Sequence, residues 1–507
     1  MMAETKPEIL LNDADNVAVA RRAIAAGETV GGVSAAEPIP SGHKIAVRPI
    51  AKGAPVVKYG QAIGQALCDI APGAHVHLHN LGMQDSDVAH AYATSGGATS
   101  LLPESQRRTF LGFLRPDGQV GTRNYIGIIS SVNCSATVSR AVADHFKRNG
   151  FGPFKNIDGV VALTHGFGCA VPTKTEGYIY LRRVMNGYAR NPNFAAIVLI
   201  GHGCETNQIG HLMRDFALSE GPNFKSIVIQ DIGGTRKAID DAIAKISEML
   251  PAINAVPRTP QPLSKLKLAL ECGGSDGYSG ITANPALGYA SDLLIRNGGT
   301  SVLSETPEIY GAEHLLTRRA VSVEVAEKLM ARIDWWRDYT TRHGAELNNN
   351  PSHGNKVGGL TTILEKSLGA VAKGGSMPLN AVYEYAEPVT ETGLVFMDTP
   401  GYDPVAVTGQ VAGGCNLIVF TTGRGSVAGF KPVPCIKVAT NSEMFHRMSD
   451  DMDINCGGII EGTDSVEAAG LRIFEQVIAV ASGARTVSEG YDYGDNEFVP
   501  WQLGAVT

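Results

Sequence analysis

The 507-residue chain has no long apolar run. Its longer ones, such as Ala195 to Ile200, fall far short of the roughly 20 residues that cross a bilayer as a helix. Basic residues are not clustered, and 43 Lys and Arg against 50 Asp and Glu leave a net charge of −7. Neither a nucleic-acid partner nor a membrane surface is expected from that balance. Eight cysteines are too few for a disulfide scaffold, and no Cys-x-x-Cys pair suggests a zinc ribbon. Met1 to Leu11 lacks a basic start followed by an apolar core, so no secretory leader is expected. These absences point to a cytoplasmic protein whose thiols are reduced, buried or bound to metal.

Glycine is abundant. The usual ~7% would give roughly 35 residues in a chain of this length, whereas 59 are present. No Gly-X-Y period exists and 44% of residues are hydrophobic, so neither a collagen-like nor a disordered chain fits. Many tight turns, or backbone pressed close to a ligand, do fit. The length suggests about three domains.

Residues 8–82 read as a small β-rich module, with a strand over Lys44 to Ile50 and one amphipathic helix over Val17 to Ala26. Residues 83–115 read as a linker of small residues. From Asn124 onward short apolar runs alternate with amphipathic stretches. Strands are expected at Tyr125 to Val132, Gly159 to Thr164, Ala195 to Ile200 and Ser226 to Gln230, with helices between them. That rhythm implies an α/β fold with a parallel sheet over 116–260. A Pro-punctuated stretch, Pro251 to Pro262, precedes a third region, 261–507. Its strands are expected at Leu266 to Leu270, Thr300 to Leu303, Gly393 to Met397, Asn416 to Phe420 and Ile436 to Ala439.

The cysteines fall at strand ends. Cys134, Cys169 and Cys204 are spaced 35 residues apart, about one βα unit each, and Cys272 follows a further strand. Ligands of parallel sheets bind beyond the carboxyl ends of the strands. The expectation is therefore that these four thiols converge on one point, as ligands suited to iron, zinc or an iron–sulfur cluster. Cys68 and Cys435 lie in apolar runs and are expected in the core; Cys415 and Cys456 are open. His165 and His202, also at strand ends, are acid/base candidates. His75, His77 and His79 alternate and would share one strand face, as a metal patch or a substrate-facing row. The Gly-rich turn Glu271 to Gly280 suits an anion at a helix start. Arg424 between two glycines suits a carboxylate. The pair Glu305 and Glu308, and Arg123 before the first βα strand, complete the candidates.

Several of these segments together resemble the altronate/galactarate dehydratases. The resemblance rests on Asp15 to Ala20, Gly42-His43-Lys44, Lys58-Tyr59-Gly60 and His75 to Asn80 in the first module. In the body it rests on Gly118 to Asn124, His165 to Cys169, Gly203-Cys204-Glu205, Glu271 to Pro285, Asn355-Lys356, Thr422 to Gly425 and Asp453 to Asn455. It covers nearly the whole chain. It implies an N-terminal β-clip (SAF) module, a middle α/β region, a Rossmann-like C-terminal domain and a homodimer. It also implies loss of water from a small sugar acid, with Fe(II) or an iron–sulfur cluster, Mn(II) being a possible substitute.

On that basis His165, Glu305 and Arg123 are expected to be catalytic. Ser275, Asp276, Arg424, His77, His79, Asn284 and Lys356 are expected to bind substrate, and Cys134, Cys169, Cys204 and Cys272 to hold the metal. Rival readings are a sulfo-lyase acting on a sulfonated hydroxy acid and a non-catalytic sugar-acid binding protein. A third is a hydrolase with Cys169 beside His165, or Cys204 beside His202, as nucleophile.

Overall fold

The computed structural model describes residues 6–84 and 90–504. Residues 85–89 of the expected linker and both chain ends, 1–5 and 505–507, lie outside the described residues.

The first module is built from short antiparallel strands. Glu8–Ile9, Val17–Ala20, Lys44–Ala46 and His75–Val76 form one sheet, and Pro55–Lys58, Gln61–Ala66 and Leu81–Gly82 another. The helix expected over Val17 to Ala26 is instead a strand followed by turns. Val-Ala-Val-Ala satisfies period two as readily as a helical stripe, and all four residues are buried between flanking strands. The strand expected over Lys44 to Ile50 stops at Ala46. Cys68, expected in the core, is exposed.

The middle region carries a four-stranded parallel sheet ordered Gly159–Leu163, Tyr125–Ser130, Phe194–Gly201, Phe224–Val228. Every residue of Tyr125–Ser130 and Phe194–Gly201 is buried, as sheets covered on both faces require. The helix Ala136–Asn149 buries Val138, Val142 and Phe146, one face at four-residue spacing. It ends at Gly150, whose φ of 67° lets its N–H close on the carbonyl of Phe146.

The last region holds a seven-stranded parallel sheet. Its order is Leu379–Tyr383, Gly393–Met397, Thr300–Leu303, Lys267–Cys272, Leu417–Thr422, Cys435–Ala439, Ile454–Asn455. The two outermost strands were not foreseen. Leu379–Tyr383 is only half-buried and Ile454–Asn455 has two residues, so neither shows a continuous apolar run.

Two expected connectors carry structure. Thr109–Leu114, inside the linker, pairs antiparallel with Thr259–Pro262, inside the Pro-punctuated separator. Pro251 does not stop the preceding helix, which runs over Thr235–Asn254.

Candidate functional site

The carboxyl edge of the seven-stranded sheet gathers a buried set of charges. Cys272 ends one strand, and Glu305 and Glu308 follow the next. The Cys272 Sγ lies 3.5 Å from carboxylate oxygens of both glutamates. Lys373 donates to the Cys272 sulfur at 2.9 Å and pairs with Glu305. Lys366 pairs with Glu308 at 2.6 Å, and Asn350 donates to the same carboxylate at 2.8 Å. Glu271 and Asp403 close the group on the other side of Glu305. Glu305 holds a left-handed φ of 67°, costly for a non-glycine residue and fixed here by its N–H bond to Thr399. Gly273 leaves room for its neighbours, because a Cβ there would stand 2.2 Å from Asp403 Oδ2 and 2.5 Å from the Phe420 ring.

Electrostatics explains what this centre lacks. Four carboxyl groups and a thiol face two ammonium groups. Burial, and then the charge of Glu305, push Glu271 and the Cys272 thiol well above their ordinary ranges. Burial and the same neighbour push Asp403 up to about 7. Burial and then Glu308 raise Glu305. One oxygen each of Glu271 and Glu305 is buried with no hydrogen-bond donor. Excess acid, unpartnered oxygens and ligand atoms within 4.8 Å of one another make a cradle for a divalent cation. Two overlapping donor sets, Cys272 with Glu305 and Glu308, and Glu271 with Glu305 and Asp403, share Glu305.

A few residues along the chain, the turn after Cys272 forms the wall of a polar cavity of about 420 Å³. Arg21, Ser41, Asp276, Tyr278, Arg424 and Asn441 are among its lining residues. Asp276 is an organiser. Its carboxylate accepts from Tyr278 N–H, Ser279, Thr440 and Asn441, which ties together the ends of two strands. Arg424 is exposed on the wall. The first module roofs this edge, and the approach is backbone on backbone. A Cβ on Gly277 would stand 2.1 Å from the carbonyl oxygen of Gly42. Below the roof, Lys44 and Lys58 converge on Glu365 at 2.8 Å each, all three fully buried. Burial alone would raise Glu365, but the two ammonium groups hold it far below the usual carboxylate range.

The structure splits the expected four-thiol group. Cys134 and Cys169 stand 3.6 Å apart, and Cys204 also acts on Cys169 through its side chain. Cys272 is elsewhere, among glutamates and lysines. Equal spacing along βα units brought three thiols to one sheet edge, whereas the fourth strand belongs to a different sheet. The three loops are stitched together. Asn133 N–H donates to Phe167, Asn133 Nδ2 to His165 and Thr206 N–H to Cys169. The Glu205 carboxylate accepts from Ser131, His202 N–H and Gly203 N–H.

Two expected catalytic residues belong neither to the acidic centre nor to the lining of the polar cavity. His165 is buried, its Nε2 bonded to the Ser130 carbonyl and its Nδ1 accepting from Phe167 N–H. Burial holds it down at about 4, so it braces the loop as a neutral ring. Arg123 spends its guanidinium on Glu489 and on the carbonyls of Thr122, Val480 and Ala484, a clamp between regions. Asn284 is similarly occupied, by Gly369 and Thr421. Ser275 is buried, its carbonyl held by Asn355, and Lys356 is half-buried on the adjoining helix His353–Val357. His75, His77 and His79 do not share a strand. The strand ends at Val76, and Asn80 bonds back to His77 N–H and the His75 carbonyl to make a turn.

Sequence reasoning missed Lys366, Lys373, Asp403, Asn441 and Glu365. They sit in helices or just after strands, in apolar surroundings. The available signal was an ionisable residue inside an otherwise buried helix, as in Glu365-Lys366 of Ile363–Val371.

Three family profiles match in sequence order. They are the altronate/galactarate dehydratase SAF domain over residues 6–84, the D-galactarate dehydratase/altronate hydrolase second domain over 112–254, and the D-galactarate/altronate dehydratase C-terminal region over 263–506. An altronate dehydratase of Bacillus subtilis is 35% identical over 492 residues, 96% of this chain and 97% of that protein. A galactarate dehydratase (L-threo-forming) of Escherichia coli is 36% identical over 94% of this chain and 93% of its own. The (2R)-sulfolactate sulfo-lyase subunit beta of Chromohalobacter salexigens is 32% identical over 79% of this chain and 99% of its own length.

Proposed function

Because the chain belongs to the D-galactarate/altronate dehydratase family, we propose that it is a hydro-lyase removing water across C2–C3 of an aldonate or aldarate to leave a 2-keto-3-deoxy acid. The observation that carries the reading is the buried excess of acid at the carboxyl edge of the seven-stranded sheet, one turn from a polar cavity with an arginine on its wall.

The C2 proton of a hydroxy acid is weakly acidic, so the charge that develops as it leaves needs stabilising. A divalent ion held by Cys272, Glu305 and Glu308 would supply that as a Lewis acid. A thiol with two carboxyl groups suits Fe(II), with Mn(II) as substitute. Arg424 offers a forked donor to the substrate carboxylate. Asn441, fixed by Asp276, Gly423 and Met444 N–H, helps to shape the cavity wall. Asp403, beside Glu305 and less enclosed than its neighbours, is the proton carrier. It takes the C2 proton and returns one to the departing hydroxyl. Glu305 is a cation-facing group in this reading rather than the proton carrier. Cys134, Cys169 and Cys204 form a separate soft-donor locus fit for thiolate-bound iron or an iron–sulfur cluster.

Incubating the anaerobically purified chain with Fe(II), thiol and a panel of aldonates and aldarates tests the proposal. Keto-acid formation lost on chelation is expected. No keto acid from any member, or activity indifferent to chelation, overturns it. Sulfite released from a sulfonated hydroxy acid would instead support the sulfo-lyase reading, which the likeness to the beta subunit favours. That subunit leaves about a fifth of this chain unmatched.

A further inference from the structure

A second group of ligand-competent side chains lies outside the acidic centre, at the seam between the first module and the body. His43 follows the turn at Gly42, and His75 and His77 flank Val76. His43 Nδ1 lies 3.0 Å from His75 Nε2. The His43 ring centroid is 5.1 Å from that of His75 and 4.8 Å from that of His77. One nitrogen of each ring lies within 4.8 Å of the others.

The orientation of the rings suits ligation. His43 Nε2 lies 3.1 Å from the Val357 carbonyl, which fixes this nitrogen as the N–H and turns the Nδ1 lone pair toward the other rings. A backbone carbonyl that fixes the far nitrogen is the usual support of a metal-binding imidazole. His77 Nδ1 is buried with no hydrogen-bond partner. Two nitrogens bound at about 2.1 Å and at right angles stand about 3.0 Å apart, the separation of His43 and His75.

We propose that His43, His75 and His77 bind one divalent transition-metal ion, separate from the ion of the Cys272 centre. The ligands are imidazole nitrogens; Glu37 accepts from His75 N–H at 3.4 Å, and the Lys44 ammonium is engaged by Glu365. That setting disfavours hard Mg(II) or Ca(II) and selects imidazole-seeking ions of the Zn(II), Fe(II) or Cu(II) kind. The ion would tie together two segments of the module, and His43 Nε2 links that module to the Val357 carbonyl of the body.

The test uses the full chain stripped of metal and loaded with Cu(II). Electron paramagnetic resonance reads the nitrogen ligands directly, without activity. The wild type is expected to show coupling to several imidazole nitrogens. The His75→Gln/His77→Gln variant is expected to lose that signal and one equivalent of bound ion, while Glu308→Gln keeps it. An identical nitrogen pattern and stoichiometry in the double variant overturns the proposal, as does a wild-type spectrum without imidazole coupling. Circular dichroism of the double variant separates loss of the site from loss of the fold. If the variant unfolds, the wild-type nitrogen count decides alone.

Discussion

Two parallel-sheet edges of this chain carry sulfur, and they treat it in opposite ways. At the four-stranded sheet, Cys134 and Cys204 are exposed and Cys169 half-exposed, on loops braced by backbone hydrogen bonds. At the seven-stranded sheet, Cys272 is buried among four carboxyl groups and two lysines. The same topological rule delivers both groups to carboxyl edges. What differs is the dielectric. Exposed thiols need only geometry to be available, whereas buried charges must be balanced or they unfold the protein. Stability therefore depends strongly on the second edge and weakly on the first.

The comparison breaks most visibly at Lys373. Lys373→Met removes the ammonium that faces Glu305 and Cys272 and leaves their charge uncompensated. A loss on the order of 3–5 kcal/mol is expected, read as a lower urea midpoint. A midpoint within experimental error of wild type would mean that the centre is not a charge-balanced core.

Acidity sharpens the same point. Burial and Glu305 push the Asp403 carboxyl up to about 7 in the folded chain, against an ordinary 3.8 in the unfolded chain. Between those values the folded state binds the extra proton. The stability of the metal-stripped protein should thus fall as pH rises from about 4 to about 7 and level off above. The slope from this group is at most about 1.4 kcal/mol per pH unit. Asp403→Asn should flatten the slope, and so should a bound divalent ion, because it favours ionised carboxylates. Unfolding curves across that pH range, with and without chelator, check both.

Much of this architecture was readable from sequence because it is repetitive. Apolar strands at regular intervals located the parallel sheets, and glycine marked the places where backbones touch, as at Gly42 and Gly277. The first module was harder. Val17–Ala20 has too few residues to distinguish period two from a helical stripe, and sheet pairing decided it. The candidate site was half readable. Cys272, Glu305 and Asp276 follow strands and announce themselves, but Lys366 and Lys373 lie on a buried helical segment whose neighbours come from 58 and 101 residues away. His165 was ambiguous in the sequence, because a strand-end histidine that braces a loop has the same signature as one that moves protons. Only its two backbone hydrogen bonds tell them apart.

The smallest effect on stability belongs to the exposed edge. Cys134 contributes one partly solvated sulfur, so Cys134→Ser should change unfolding free energy by no more than about 0.5 kcal/mol. Its chemical effect should be larger than its energetic one. The neighbours of Cys169 suppress its ionisation. The bond to Cys134, then burial, moves Cys169 up to about 11. A bound soft cation reverses this by stabilising thiolates. Wild-type protein reconstituted anaerobically with iron and sulfide should therefore develop thiolate-to-iron absorption and protect three thiols from alkylation. Cys134→Ser should lose most of that absorption while melting as wild type does. Cys272→Ser should keep the absorption, since its sulfur belongs to the other edge. If Cys272→Ser abolishes it and Cys134→Ser does not, the two edges have been assigned the wrong way round.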